Sequence, residues 1–121
     1  MKVARPNILK DKSYSFAIKV VTLSQYLVAE QKEYVLSKQL LRSGTAVGAL
    51  ICEGEFAASR ADFINKLTVS LKEANETAYW LMLLKDTDYL DHERFTELHA
   101  DCKELIAMLV SSIKTAKQMK N

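Results

Sequence analysis

Residues that break helices are scarce in this chain. One proline and three glycines in 121 residues leave long stretches in which nothing interrupts a helix. No segment alternates strictly between apolar and polar, and no Asn-Gly or Asp-Gly pair is present to close a hairpin, which argues against a sheet. Long apolar runs are missing as well. The two longest uncharged runs, residues 20–29 and 43–52, have ten residues each, about half of a membrane span. Residues 1–7 are polar and broken by Pro6, unlike a secretory leader. The expected location is the cytoplasm, with no membrane partner.

Charge of one sign is also in short supply. A formal net charge of +2 is too small to demand a nucleic-acid or membrane partner, although the charges are unevenly placed. Lys2, Arg5, Lys10, Lys12 and Lys19 stand against Asp11 alone at one terminus. Lys114, Lys117 and Lys120 have no acid beside them at the other, and Asp86, Asp88, Asp91, Glu93, Glu97 and Asp101 make an acidic segment between. The two cysteines, Cys52 and Cys102, are fifty residues apart and form no CxxC pair. Each sits among apolar residues at helical spacing, as buried reduced thiols do.

Four helical stripes can be read in order. After Ser13, a plausible N-cap, Phe16, Val20, Leu23 and Leu27 recur at spacings of four, three and four, one apolar face of a helix. Residues 30–32 give a short polar turn. The second stripe, over a helix expected at roughly 33–54, is Leu36, Leu40, Ser43, Val47, Ile51 and Gly54. Ser59 can cap the third helix while Asp62 reaches back to the Ser59 amide. That helix then presents Ile64, Leu67, Leu71, Ala74, Ala78 and Leu81. Residues 85–91 break the pattern, and Asp91 can cap a last helix with the stripe Phe95, Leu98, Cys102, Leu105, Leu109 and Ile113. Short connections between four helices imply an all-α, antiparallel up-down-up-down four-helix bundle. It forms a single domain over residues 1–121, with residues 1–12 as a loosely packed N-terminal arm.

All three glycines fall in "LLRSGTAVGALICEGE", residues 40–55. A phosphate loop needs two glycines five apart and then Lys and Ser or Thr; Gly44 and Gly48 are four apart with no lysine after them. A membrane GxxxG contact needs about twenty apolar residues, and Arg42 and Glu53 close this run after ten. What remains is a close helix contact. Each glycine costs a helix about 1 kcal/mol relative to alanine, and Gly44, Gly48 and Cys52 form a smooth ridge at i, i+4, i+8. Because residues 43–52 are uncharged on every face, burial against a partner subunit is the expected use of that ridge, with cover by the chain's own termini as the alternative. On the third helix Trp80 falls opposite Leu71, near Val69 and Leu83, and those three are expected at the same subunit contact.

Catalytic patterns are not found. Neither His92 nor His99 has a Glu three residues before it, as a di-iron site would require, and at seven residues apart they are about 10 Å apart along a helix. Both read as solvated surface histidines. No nucleophilic triad can be assigned, so the chain is expected to be no enzyme and to hold no cofactor or metal. Arg42 and Glu53 share a helix face about 16 Å apart along its axis, so each needs a partner elsewhere; Glu73 or Glu76 could serve Arg42.

The runs "YVLSKQLLRSGTAVGALICEGE" and "SRADFINKLTVSLKEANETAYWL" resemble the bacterial four-helix-bundle family first noticed in intervening sequences of 23S ribosomal RNA genes. The pattern includes Gln39, Arg42, Val47, Ile51, Glu53, Gly54, Ser59 and Phe63, and continues near Glu73 and Glu76. Leu50 and Cys52 depart from it, standing where the family often has Asn and Ala. The resemblance implies a homopentameric ring. It also implies kinship with accessory proteins of diversity-generating retroelements, whose basic surfaces engage nucleic acid and a reverse transcriptase. Two functions are then open. One is a homo-oligomeric module binding RNA or DNA through Lys2, Arg5, Lys10, Lys12, Lys114, Lys117 and Lys120. The other is a protein–protein scaffold that docks through its acidic segment.

Overall fold

Each helix begins on a side chain that fills its otherwise open N–H groups. In the computed structural model, which describes residues 7–119, these are α1 (Ile8–Ala29), α2 (Leu36–Gly54), α3 (Arg60–Asp86) and α4 (His92–Gln118). Asn7 Oδ1 accepts from the Lys10 amide at 3.0 Å, so α1 starts more than a turn before Ser13. Residues 8–12 therefore belong to the helix, and Ser13 is a buried residue within it whose hydroxyl donates to the Lys10 carbonyl. Residues 1–6 of the expected arm lie outside the described residues.

The start of α2 has no capping side chain at Val35. Glu33 takes over, its carboxylate accepting from the amides of Val35, Leu36 and Ser37 at 3.2, 2.9 and 2.7 Å, so the helix begins three residues later than its apolar period suggested. Ser59 caps α3 by accepting from the Asp62 amide, while Asp62 reaches back to the Ala58 amide rather than to that of Ser59. Asp91 caps α4 by accepting from the Arg94 amide at 2.7 Å. At the end of α3, Asp88 adopts the left-handed conformation (φ 69°). The Tyr89 amide then reaches the Leu84 carbonyl and the Asp88 amide reaches that of Lys85, a Schellman ending.

The helices pack in a cycle, α1 on α2, α2 on α3, α3 on α4, with α4 meeting α1 least extensively. Phe16, Val20, Leu27, Leu40, Val47, Leu67, Leu81, Leu105 and Leu109 fill the centre. On α3 the buried set is Leu67, Ser70, Ala74, Thr77, Leu81 and Leu84; Leu71 and Ala78, expected in the stripe, are only partly buried. Two hydroxyl residues take the inner face because each has a partner there. Ser70 Oγ donates to the Val47 carbonyl at 2.8 Å. Thr77 Oγ1 donates to the Glu73 carbonyl at 2.8 Å and shares a hydrogen bond with Ser43 Oγ at 2.9 Å. Every buried side-chain nitrogen or oxygen among the described residues is partnered, so these groups avoid the cost of burying an unmet donor or acceptor.

The glycine ridge is used inside the chain. A Cβ on Gly44 would lie 2.8 Å from both γ-carbons of Val20, and one on Gly48 would lie 3.1 Å from Ser13 Oγ and 3.3 Å from the Ser13 carbonyl oxygen. Helix α1 therefore occupies the part of the ridge expected at a subunit contact. Gly54 is under no such pressure, since its added Cβ would meet Phe63 at an ordinary 3.5 Å.

These contacts order the glycines by tolerance. Gly44→Ala must displace a χ1-restricted valine in a packed core, and overpacking of this kind outweighs the helix-propensity gain, for a net loss of about 1–2 kcal/mol. Gly54→Ala gains propensity without a clash and should be neutral or stabilising by up to ~1 kcal/mol. Urea unfolding at one protein concentration checks the order. Cys102 offers a second test. It is buried, its Sγ 3.2 Å from the Ala74 carbonyl oxygen, and burial pushes its thiol from an ordinary 9.0 up to about 12. The folded state thus keeps a proton that the unfolded chain releases. Stability from this group is complete below about pH 9 and declines as pH rises towards 12. Cys102→Ala should remove that part of the alkaline loss in urea titrations repeated across this range.

Candidate functional site

Among the described residues, no three His, Cys, Asp or Glu side chains converge as a metal site would require. His92 is exposed. His99 is partly buried rather than fully solvated, stacked on Phe95 at 4.7 Å, and desolvation followed by the nearby Lys103 and Lys85 holds its pKa below the ordinary value. Cys102 belongs to the core, while Cys52, expected to be buried, is exposed. Its neighbour one turn earlier, Gly48, is packed against Ser13 of α1, whereas Cys52 opens onto the surface groove near Lys10 and Asp11. No described helix is long and apolar enough to cross a membrane.

With no converging chemistry, the surfaces carry what the protein can do. The first is the α2/α3 flank. Arg42 Nη1 lies 3.3 Å from Glu73 Oε1, and Nη2 contacts Glu76, so both proposed partners are engaged by one guanidinium across the two helices. Glu76 also accepts from the Trp80 indole N–H at 3.0 Å. Trp80 is therefore half-buried, packed against the chain's own core and tied to its own helix, not a free anchor. Val69, about three turns earlier on α3, and Leu83, one turn later, are partly exposed, and Gln39 is partly buried. Glu53 pairs with Lys66 at 3.7 Å, and Gly54 packs on Phe63. Charges crowd this flank.

The second surface is the seam between α1 and α2. On α1, Tyr14, Val21 and Val28 are 68, 39 and 39% exposed, at spacings that place them along the flank turned towards α2, while Ile18 lies on the side of α1 that borders Arg94 and Glu97 of α4. On α2, Leu41, Thr45, Ala49 and Cys52 line the facing flank. A groove of about 500 Å³ opens between them, lined by Tyr14, Ala17, Thr45, Gly48, Ala49 and Cys52, with Lys10 and Asp11 at one end. The missing Cβ of Gly48 forms part of its wall. The uncharged run 43–52 carried the signal for the α2 side of this seam; the α1 residues that line the groove, from Lys10 to Ala17, lie outside the run 20–29.

The third feature is an end-to-end separation of charge. The antiparallel order brings the start of α1, the end of α2, the start of α3 and the end of α4 to one end of the bundle, with Lys10, Lys12, Arg60, Lys66, Lys114 and Lys117 set among the acids Asp11, Glu53, Glu55 and Asp62. Two of the expected nucleic-acid contacts are already engaged there: Lys10 pairs with Glu55 at 2.8 Å and Lys12 with Glu104 at 3.3 Å. The hydrogen bond to Glu55 and its charge raise the Lys10 pKa above the ordinary value. Lys114 and Lys117 are exposed and have no carboxylate partner among the described residues. Lys2, Arg5 and Lys120 lie outside those residues. The opposite end gathers Asp86, Asp88, Asp91, Glu93 and Glu97. Part of this acidic segment is spent on the α1/α4 seam, where Lys19 pairs with Glu97 at 2.9 Å and with Asp101 at 2.7 Å and Arg94 lies over the Tyr26 ring at 3.9 Å.

Comparison with known proteins agrees with this architecture. Among curated proteins none matches the chain. A solved structure from Bacteroides thetaiotaomicron VPI-5482, described as a protein of unknown function from the S23 ribosomal protein family, is 55% identical over 88% of this chain and 99% of its own, with a TM-score of 0.88. The family described as 23S rRNA-intervening sequence protein matches residues 5–111. With nearly the whole bundle matched, from the segment before α1 to the last turns of α4, the chain belongs to the 23S rRNA-intervening sequence protein family.

Proposed function

We propose that this protein is a non-enzymatic, homo-oligomeric helix bundle of the cytoplasm, pentameric as its resemblance implies, that binds RNA or DNA through the basic end of the bundle. The observation that carries this reading is the pair Lys114 and Lys117, exposed, without a carboxylate partner among the described residues and one helical turn apart on α4. Two cations per chain bind phosphate weakly. A closed ring of bundles with parallel axes sets such pairs side by side, and each phosphate neutralised releases condensed counterion. The charged groups here are lysines, point charges without a planar fork, which suits backbone contact with little base preference.

The competing reading is a protein–protein scaffold without nucleic acid. It draws on the opposite end, where Asp88 and Glu93 are exposed and take no part in the lysine ladder between α1 and α4. A protein partner such as a reverse transcriptase, the class implied by the resemblance, would meet that end through basic groups.

Two measurements test the proposal. Sedimentation equilibrium should give a mass near five times the single chain's 13.7 kDa; 13.7 kDa at micromolar concentration would remove the oligomer. Fluorescence anisotropy with mixed RNA and DNA oligonucleotides should show affinity falling steeply with salt. Lys114→Gln with Lys117→Gln should weaken binding to every sequence and flatten the log–log salt slope by roughly 0.9 for each duplex phosphate that is no longer neutralised. An absence of binding at tens of micromolar in low salt would favour the scaffold.

A further inference from the structure

We propose that Lys85, His99 and Lys103, on the seam between α3 and α4, form a binding site for a phosphate group. The site is separate from the Lys114 and Lys117 end, and it stands whether or not that end binds nucleic acid.

Helix α4 sorts its charges by flank. Glu97, Asp101 and Glu104 face α1, where Lys19 and Lys12 meet them. The flank turned to α3 carries His99 and Lys103 instead. Four residues apart, they are neighbours on one face, with about 5–6 Å between their Cβ atoms. From α3, Lys85 reaches over the same place, its Nζ 4.7 Å from the centre of the Phe95 ring. The His99 ring is stacked on that same Phe95 at 4.7 Å, with 21° between the planes. One phenyl ring thus holds an ammonium from one helix and an imidazole from the other.

Little in the chain neutralises this group. Lys103 is exposed and has no carboxylate partner among the described residues. Asp86 is the carboxylate beside Lys85, at 4.0 Å, the outer limit of an ion pair. His92, two turns before His99, is exposed and shares a hydrogen bond with Thr96. Burial, then Lys103, then Lys85 holds the His99 pKa below its ordinary 6.5, with no carboxylate acting against them. Like charges brought together cost free energy in the protein alone, and an anion turns that cost into attraction. The donors also select the anion. A carboxylate offers two oxygens in one plane, whereas a phosphate offers oxygens around a tetrahedron and, as a monoester, nearly two negative charges at pH 7. The stacked imidazole supplies an N–H donor fixed in direction, between two ammonium groups on flexible stems.

The test follows the His99 imidazole by NMR in a His92→Gln background, which leaves one histidine. Titrations are run in sodium chloride, in inorganic phosphate and with a mixed-sequence DNA oligonucleotide, all at one ionic strength. Phosphate should raise the His99 pKa by about one unit relative to chloride, equivalent to roughly tenfold tighter binding by the imidazolium form. Lys85→Gln with Lys103→Gln should move the chloride value up towards the ordinary one and abolish the response. A rise with the oligonucleotide that survives Lys114→Gln with Lys117→Gln identifies a nucleic-acid backbone as the source of the phosphate. A rise with inorganic phosphate alone supports the site with a small phosphorylated ligand, even if the basic end binds no nucleic acid. The same His99 titration in all three media overturns the site. So does a response that persists without Lys85 and Lys103, or one that is lost with Lys114 and Lys117.

Discussion

The approach of α1 to α2 across Gly44 and Gly48 is the contact on which the rest of this bundle depends. Val20 sits where a Cβ of residue 44 would be, and the Ser13 backbone lies against residue 48. No other residue type gives that spacing, and the two helices forgo the stabilisation that alanine would bring in order to reach it. The return is dense packing of Phe16, Val20 and Leu27 on Leu40 and Val47. A further consequence is outside the core. Drawing α1 and α2 together leaves a narrow, small-walled trough between them on the surface, next to a ridge of large apolar side chains.

The bundle's other seams are closed by different means. Between α2 and α3, hydroxyls are placed in the core: Ser43 meets Thr77, and Ser70 meets the Val47 carbonyl. Such pairs add little net stability, but breaking them is expensive, so they penalise any slip of one helix along the other. Between α1 and α4, packing is looser and the closure is electrostatic, with Lys12 and Lys19 laddered onto Glu104, Asp101 and Glu97. These are half-exposed pairs and contribute modestly each. The chain thus has a tight seam, a registered seam and a charged seam.

That division explains why the functional reading rests on surfaces. Inside, the polar groups are partnered to one another, and the buried Cys102 thiol is held protonated well above neutral pH. Outside, charge has been drawn to the α1/α4 ladder, the α2/α3 flank and the two ends, which differ in sign. The α1/α2 seam carries the fewest charges, with Lys10 and Asp11 at one end of its groove. A small protein with a lightly charged seam and ends that differ in charge is suited to presenting an end in several copies. Membership of the 23S rRNA-intervening sequence protein family is consistent with that reading without assigning a reaction.

Much of this was legible in the residues alone, because helical period and capping are local. The four stripes, the caps at Ser59 and Asp91, the bundle topology and the Arg42 pairing with Glu73 and Glu76 follow from spacings within a few turns or from charge that has to be met. The sequence also marked residues 43–52 as a helix that something approaches closely. It could not say what approaches, since a smooth ridge is equally open to a helix of the same chain or of another, and only packing assigned it to α1. The start of α1 at Asn7, the capping by Glu33 and the burial of Ser70 and Thr77 were hidden for a related reason. A polar side chain reads as surface until its partner is in place. Lys10 and Lys12 looked like free terminal cations until the fold brought Glu55 and Glu104 beside them, forty-five and ninety-two residues away. Local chemistry determined the elements; long-range contact decided which of their faces remained exposed.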